Sequence, residues 1–307
     1  MREAVIVSTA RTPLTKSHRG EFNAISGAEL ASHAVKAAVQ RSGVEAQLIE
    51  DVILGCGYPE GRTGRNVARA SVLRAGLPLS IAGATVSRFC ASGLQAIATA
   101  AGRIVVDGAP VMVAGGLESI SGLRRGPGTT VDDGIDPWMA QHKPDLYLPM
   151  IETADIVAKR YNISREDQDR FSVESQRKTA EAQTAGRYKE EIISVTTTMA
   201  VTDKDTKEVT YQEVTVDHDT SNRPGTSYDS LAKLQPVRGE EHFITAGNAS
   251  QLSDGASACV MMDAKLASQL ACNPWAHFAA WHWRDVSPTR WALAPCLLCL
   301  SCWRVMA

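Results

Sequence analysis

Residues 82–118 read AGATVSRFCASGLQAIATAAGRIVVDGAPVMVAGGLE. A short run ending in Thr85 and Val86 leads past Arg88 and Phe89 to Cys90, and the small residues Ala91, Ser92 and Gly93 follow. Leu94, Ile97, Ala98, Ala101, Ile104 and Val105 then recur at three- and four-residue spacing, which predicts one apolar face of a helix. Asp107-Gly108 predicts its end, and Val111 to Ala114 reads as the next buried strand. Cys90 is therefore expected at a strand-to-helix junction, at or just before the helix N-terminus. Unpaired N–H groups and the positive end of the helix dipole favour an anion at such a place. The thiolate is the form in which cysteine acts as nucleophile. The same spacing also suits a buried structural cysteine packed as a small hydrophobe, so spacing alone leaves both roles open.

Outward from this stretch, helical patterns alternate with short runs of Val, Ile and Ala. Residues 4–8 read as a first strand, closed by Arg11-Thr12-Pro13. Ser26 is expected to start a helix with Leu30, Ala34, Ala37, Ala38 and Val39 on its apolar side and Gly43 as its stop. Val52 to Gly55 is a further strand, and Asn66 to Ala75 a helix ending at Gly76. Together these predict an α/β sheet covered on its faces by helices. Gly55-Cys56-Gly57 with Gly61 has the wrong last spacing for a dinucleotide-binding turn. Gly115-Gly116 is expected at a backbone crossing where a side chain would not fit.

Three separated segments carry a family likeness. TVSRFCASGLQAIATAAGRI (85–104), followed by VMVAGGLESIS (111–121), resembles the nucleophile segment of thiolases. REAVIVSTARTPLTKSHRGEF (2–22) and ITAGNASQLSDGASA (244–258) resemble two further thiolase signatures, and the three stand in the family's order. The resemblance is to the degradative acetyl-CoA acyltransferase type. It implies an α/β fold of thiolase-like layered αβαβα architecture, with two similar halves, each a mixed five-stranded sheet. It makes Cys90 the acyl-accepting nucleophile and coenzyme A a substrate, with no resident cofactor and no metal. Acyl-CoA and CoA are the implied partners, in a homodimer or homotetramer. Arg223 and Ser230, in SNRPGTSYDSLAKLQPVR (221–238), stand where the family holds the coenzyme's nucleotide end. An arginine fork suits phosphate, and a hydroxyl suits an adenine or ribose edge. Ser250 stands where the family touches the pantetheine arm, although a helix N-cap is an alternative there. Gln251 replaces a glycine common at that point.

The domain division expected from the likeness is an N-terminal half with the nucleophile (1–120), a loop domain that binds CoA (121–250) and the start of a second half (251–271). Within the loop domain, a Gly-, Pro- and charge-rich excursion runs from Ser119 to about Leu148. A helix from Thr153 to Tyr161 is predicted next. A second starts with a capping-box-like Ser164 and Asp167 and carries Phe171, Ser175, Lys178 and Ala182 along one side. Residues 192–217 read as exposed strands.

From 272 to 307 the pattern changes. Five of the six tryptophans and four of the seven cysteines fall there, without helical or alternating order. Cys296, Cys299 and Cys302 lack the second ligand pair or histidine that a zinc motif needs. Tryptophan has one codon, which constrains back-translation. Shifting the frame of this stretch by one base permits a reading that resembles a thiolase continuation. The expectation is an aberrant, frame-slipped tail, with the second half largely missing, and sequencing codons 265–275 tests it. The family supplies its base from a Gly-His-Pro segment and a second cysteine near its C-terminus, and neither segment occurs in these 307 residues. Severe loss of activity is the expected consequence, and a non-catalytic CoA-binding or subunit-interaction fragment is the alternative reading.

Composition sets the remaining bounds. The 307 residues are 44% hydrophobic and 21% charged, with a net charge of −2. That balance gives no electrostatic reason to expect nucleic acid. No uncharged run reaches the length needed to cross a bilayer, so no membrane is expected and the cytoplasm is the default location.

Overall fold

The computed structural model describes residues 2–123, 134–278 and 303–305. Its centre is a sheet laid down by apolar runs too continuous to face water on either side. The strands are β1 (Ala4–Arg11), β2 (Thr15–Lys16), β3 (Ile49–Gly55), β4 (Ala82–Val86), β5 (Val111–Ser119), β8 (Ser253–Asp263), β9 (Ala276–Phe278) and β10 (Trp303–Val305). They lie in the order β10-β9-β1-β8-β5-β3-β4, with β2 also paired to β8. β3 runs parallel to β4 and β5, whereas β8 is antiparallel to both β1 and β5.

The period of two decides which helix each side chain meets. Val52 and Leu54 of β3, Val113 of β5 and Val260 of β8 point to one face. There they pack under α1 (Gly27–Ser42) and α2 (Val67–Arg74), against Leu30, Val35, Val39 and Val72. Ile53, Met112 and Met261 point the other way, under α3 (Ser92–Gly102) and the turn of helix that prolongs it to Asp107. The helix ends follow the sequence signals. The Ser26 hydroxyl accepts the Glu29 N–H at 3.2 Å, and Gly43 closes α1 in the left-handed region at φ 67°. The Asn66 side chain caps α2 in the same way.

Helix α3 departs from the expected face. Its buried residues are Ser92, Ala96, Ala100 and Ala101, with Ile104 beyond them. Leu94, Ile97, Ala98 and Val105 are only half-buried. The stripe is rotated toward the small residues because a helix with alanines on its inner side approaches the sheet more closely. Residues Phe89–Asp107 form the single helical run, among the described residues, long and apolar enough to cross a membrane. Here its inner side lies on the sheet, and Arg103 within it pairs with Glu50 and Asp107.

The loop domain contributes α4 (Pro137–His142), α5 (Met150–Arg160), α6 (Arg165–Thr184), the hairpin β6 (Val195–Thr202) with β7 (Val209–Val216), and α7 (Tyr228–Ala232). α5 begins at Met150, three residues before the expected start, because Pro149 serves as its N-cap. The capping box of α6 is present, with Ser164 and Asp167 each accepting from the other's backbone N–H. The side carrying Phe171, Ser175 and Lys178 is exposed, and Phe171 is 77% accessible. The hairpin is tied to the sheet domain by Asn23, whose amide exchanges two hydrogen bonds with Ala200 at 2.8 and 2.9 Å. Arg11 clamps Asp219 bidentately at 2.7 and 2.9 Å.

Residues 251–271, expected to open a second half, supply instead β8, in the middle of the first sheet, and α8 (Ala264–Gln269). The reason is hydrogen bonding. β8 fills the gap between β1 and β5 and satisfies the backbone of both. β9 then pairs along the outer side of β1, Val5 opposite His277 and Ile6 opposite Ala276. An open strand edge accepts any extended segment, whatever its side-chain pattern. The stretch with Cys296, Cys299 and Cys302 lies outside the described residues.

The crossing expected at Gly115 is present: a Cβ there would lie 2.1 Å from the Ser257 carbonyl oxygen of β8. Gly115→Ala must therefore push β8 off β5. We expect a loss of more than about 4 kcal/mol, read as a collapse of the denaturant midpoint. A midpoint unchanged within error would refute this packing.

Candidate active site

The site is built on the close approach of the α3 N-terminus to the strand ends. A Cβ on Gly55, the last residue of β3, would fall 2.2 Å from the Ser92 carbonyl carbon and 2.4 Å from the Gly93 nitrogen. A Cβ on Gly116 of β5 would lie 2.9 Å from the Gly55 carbonyl oxygen and 3.5 Å from the Gly93 Cα. Bare backbone on the strands lets the first turn of the helix sit directly on the sheet end. Gly55, the first glycine of the ill-spaced nucleotide-like motif, thus serves helix–sheet packing.

Cys90 occupies the turn that enters this helix and is exposed. Phe89 before it takes a left-handed conformation at φ 46°, uncommon for a bulky residue and costing about 1–3 kcal/mol. The surroundings hold the turn. The Ser92 hydroxyl accepts the Arg88 N–H at 2.8 Å and donates to the Phe89 carbonyl at 2.5 Å. The Phe89 ring meets the Tyr58 ring edge-on at 6.1 Å between centroids. Tyr58 is fixed in turn by Glu118, whose carboxylate accepts the N–H groups of Gly57 at 2.8 Å and Tyr58 at 3.4 Å. Glu118 also lies 3.6 Å from the Cys56 sulfur. Burial, reinforced by this carboxylate, pushes the Cys56 thiol up to about 12. Burial does the same to Cys259. Both stay protonated at neutral pH and pack as buried thiols, whereas Cys90 is exposed.

The coenzyme candidates lie together on the loop domain. Asp169 of α6, almost wholly buried, accepts from Arg165 Nε at 2.8 Å and from Asn248 Nδ2 at 3.0 Å. Arg165 donates onward to the carbonyls of Leu231 and Leu234, while the Asn248 side-chain oxygen accepts the Thr245 N–H. This network fastens α7, with Ser230, to the 245–250 loop, with Ser250. The Ser230 hydroxyl is spent on its own helix cap, donating to the Ser227 carbonyl at 2.7 Å. Arg223 is exposed, and its N–H donates to Gln176 of α6 at 2.8 Å. Ser250 is exposed and leads into β8, so no helix starts there and the capping alternative falls.

No contact joins Cys90 to those three residues, and among the described residues no hydrogen bond reaches its sulfur. None of the described histidines (18, 33, 142, 218, 242 and 277) pairs with it; His242 sits instead 3.2 Å from Asp155, and His33 is half-buried on α1, where burial lowers its pKa. His282 lies outside the described residues. No cluster of three or more metal-ligating side chains occurs among the described residues. Sequence reasoning missed Glu118 and Asp169. A carboxylate ending a buried strand was the available signal for the first, and only the fold identifies the second.

The family model for the thiolase N-terminal domain matches residues 4–265. The chain belongs to the thiolase family, a family of acyltransferase enzymes. It is 38% identical to a 3-ketoacyl-CoA thiolase of Bacillus subtilis, covering 96% of this chain and 74% of that protein. A beta-ketoadipyl-CoA thiolase of Pseudomonas aeruginosa is 36% identical, with the same two coverages. An acetyl-CoA acetyltransferase of Rhizobium meliloti is 36% identical over 92% of this chain and 71% of its own. The first two matches run past residue 271 into the Trp- and Cys-rich stretch, whereas the family model stops at 265.

Two outcomes follow for this thiolase-family chain. With iodoacetamide at pH 8, peptide mapping should find Cys90 modified while Cys56 and Cys259 stay protected, since a thiol near 12 is about one part in ten thousand thiolate there. Equal labelling of Cys56 and Cys90 in the folded protein would contradict the assignment. Gly55→Ala should displace the first turn of α3 and slow Cys90 labelling at least about tenfold, as misplacement by an ångström does to reacting groups. An unchanged labelling rate would show that the glycine contact does not set the site.

Proposed function

We propose that Cys90 forms the acyl-enzyme of a reaction on 3-ketoacyl-CoA. Its thiolate attacks the keto carbon, the bond to the neighbouring carbon breaks, and acetyl-CoA leaves after gaining a proton. The acyl group then passes from the Cys90 sulfur to the thiol of free CoA. In the reverse sense the acyl-enzyme condenses with acetyl-CoA. This is covalent ping-pong catalysis, in which hydrogen-bond donors must meet the oxyanion. One observation carries the reading: in a thiolase-family chain, the exposed cysteine stands at the start of a helix seated directly on the ends of β3 and β5. The relatives' names, 3-ketoacyl-CoA thiolase and acetyl-CoA acetyltransferase, support this substrate class. Arg223, Ser230 and Ser250 are the proposed coenzyme contacts; the network that holds α7 to the 245–250 loop supports the last two, and the Arg223 N–H bond to Gln176 of α6 supports the first. CoA is consumed as substrate, and no resident cofactor or metal is invoked.

We further propose a homodimer or homotetramer in the cytoplasm. Its support is β4, which ends the sheet and has no neighbour on its outer side among the described residues. Turnover by a polypeptide of these 307 residues should be severely impaired. Removing one positioned acid–base group costs about 10²–10⁴ in rate, and the sequence has no Gly-His-Pro segment. The absence of any described histidine beside Cys90 also favours the second reading, a CoA-binding module without turnover.

Acetoacetyl-CoA and intact-protein mass spectrometry separate these outcomes. An acetyl adduct on the Cys90 peptide, lost in Cys90→Ala, with thiolysis near background, is the expected result. Saturable CoA binding without any adduct selects the second reading, and an adduct on another cysteine refutes the assignment of Cys90.

A further inference from the structure

A recess of about 290 Å³ opens between the turn after β2 and the loop before β8. Lys16, His18 and Arg19 line one wall, and Ala249, Ser250 and Gln251 line the other. Lys16 and Arg19 place two positive charges within four residues, which favours negative charge beside them. No described acidic group pairs with Lys16 or Arg19. The carboxylate of Asp254, which lies near His18, is buried and already accepts both the backbone N–H and the hydroxyl of Ser121.

The basic turn is rigid. Ser17 N–H donates to the Leu252 carbonyl at 2.9 Å, His18 N–H to the Ser121 hydroxyl at 2.6 Å, and Gly20 N–H to the Lys16 carbonyl at 2.7 Å. His18 sits in the left-handed region at φ 64°. At Gly20 a Cβ would fall 2.3 Å from the Lys16 carbonyl oxygen, so the turn closes only on glycine. Backbone strain held in place by surrounding bonds marks a preorganised segment. A backbone fixed in advance loses little freedom on binding.

We propose that this recess is a subsite for an oxyanion carried by the acyl-CoA, either a phosphate of the coenzyme or a carboxylate at the far end of the acyl chain. The inference rests on the reading that Ser250 meets the pantetheine arm, because Ser250 forms part of the opposite wall. Lys16 and Arg19 supply the charge, and Gln251 adds a neutral amide where the family commonly has glycine.

Calorimetry in a Cys90→Ala background tests it with three probes: hexanoyl-CoA, adipyl-CoA and S-hexanoylpantetheine. Lys16→Gln combined with Arg19→Gln should weaken binding about 10- to 100-fold. A loss confined to adipyl-CoA identifies the acyl-chain carboxylate. A loss shared by both CoA thioesters but not by S-hexanoylpantetheine identifies the coenzyme phosphate. Unchanged affinity for all three, or an equal loss for all three, overturns the subsite. Arg223→Ala and Ser250→Trp serve as the control. If they weaken hexanoyl-CoA while the Lys16/Arg19 pair does nothing, only the subsite falls. If they too leave it unchanged, the coenzyme path falls with it.

Discussion

The structure depends on how closely one helix start can approach a sheet. Between β3, β5 and the first turn of α3 there are only backbone atoms, since Gly55, Gly93 and Gly116 present no side chain. Any Cβ at Gly55 would overlap the Ser92–Gly93 peptide. The exposed sulfur of Cys90, the left-handed Phe89 and the Ser92 hydroxyl that braces it all follow from that contact. Glu118 extends the bracing to the neighbouring loop by taking up two N–H groups that would otherwise be orphaned. The turn that carries Cys90 is thus held by two strand ends and one carboxylate.

A second set of polar groups does for the loop domain what the glycines do for the sheet. Asp169 is a buried carboxylate that remains tolerable because Arg165 and Asn248 satisfy both its oxygens. Through those two residues it unites α6, α7 and the 245–250 loop, elements far apart in sequence. Arg11 performs a similar service at the boundary, binding Asp219 and Glu191 from the end of β1. Where side chains of this kind are buried, removing one partner costs more than the pair contributes, because an uncompensated charge is left behind.

Local signals proved legible where the physics is local. Ser26, Asn66 and Ser164 cap helices as their sequence context predicts, and Gly43 and Gly108 end helices in the left-handed region. Strands within 192–217 and the backbone crossing at Gly115 also follow from pattern alone, whereas the pairing of the two strands as a hairpin comes from the fold. The errors share a different cause. Of the face expected for α3, Ala101 and Ile104 are buried, but Leu94, Ile97, Ala98 and Val105 are only half-buried, because a helix docked on bare backbone turns Ala96 and Ala100 inward. Residues 251–271 were assigned to a second half, yet β8 completes the first sheet because β1 and β5 each need a neighbour.

By itself, the sequence determined the α/β class, the family and the position of Cys90 at a helix start, because these depend on short-range periodicity and on motifs read in order. The tertiary structure alone decided which thiols are buried, which carboxylates are paired and which basic side chains share a recess. Many of those properties arise from groups far apart in sequence brought within hydrogen-bond distance, as with Gly57 and Glu118 or Ser121 and Asp254, and no local pattern encodes that distance.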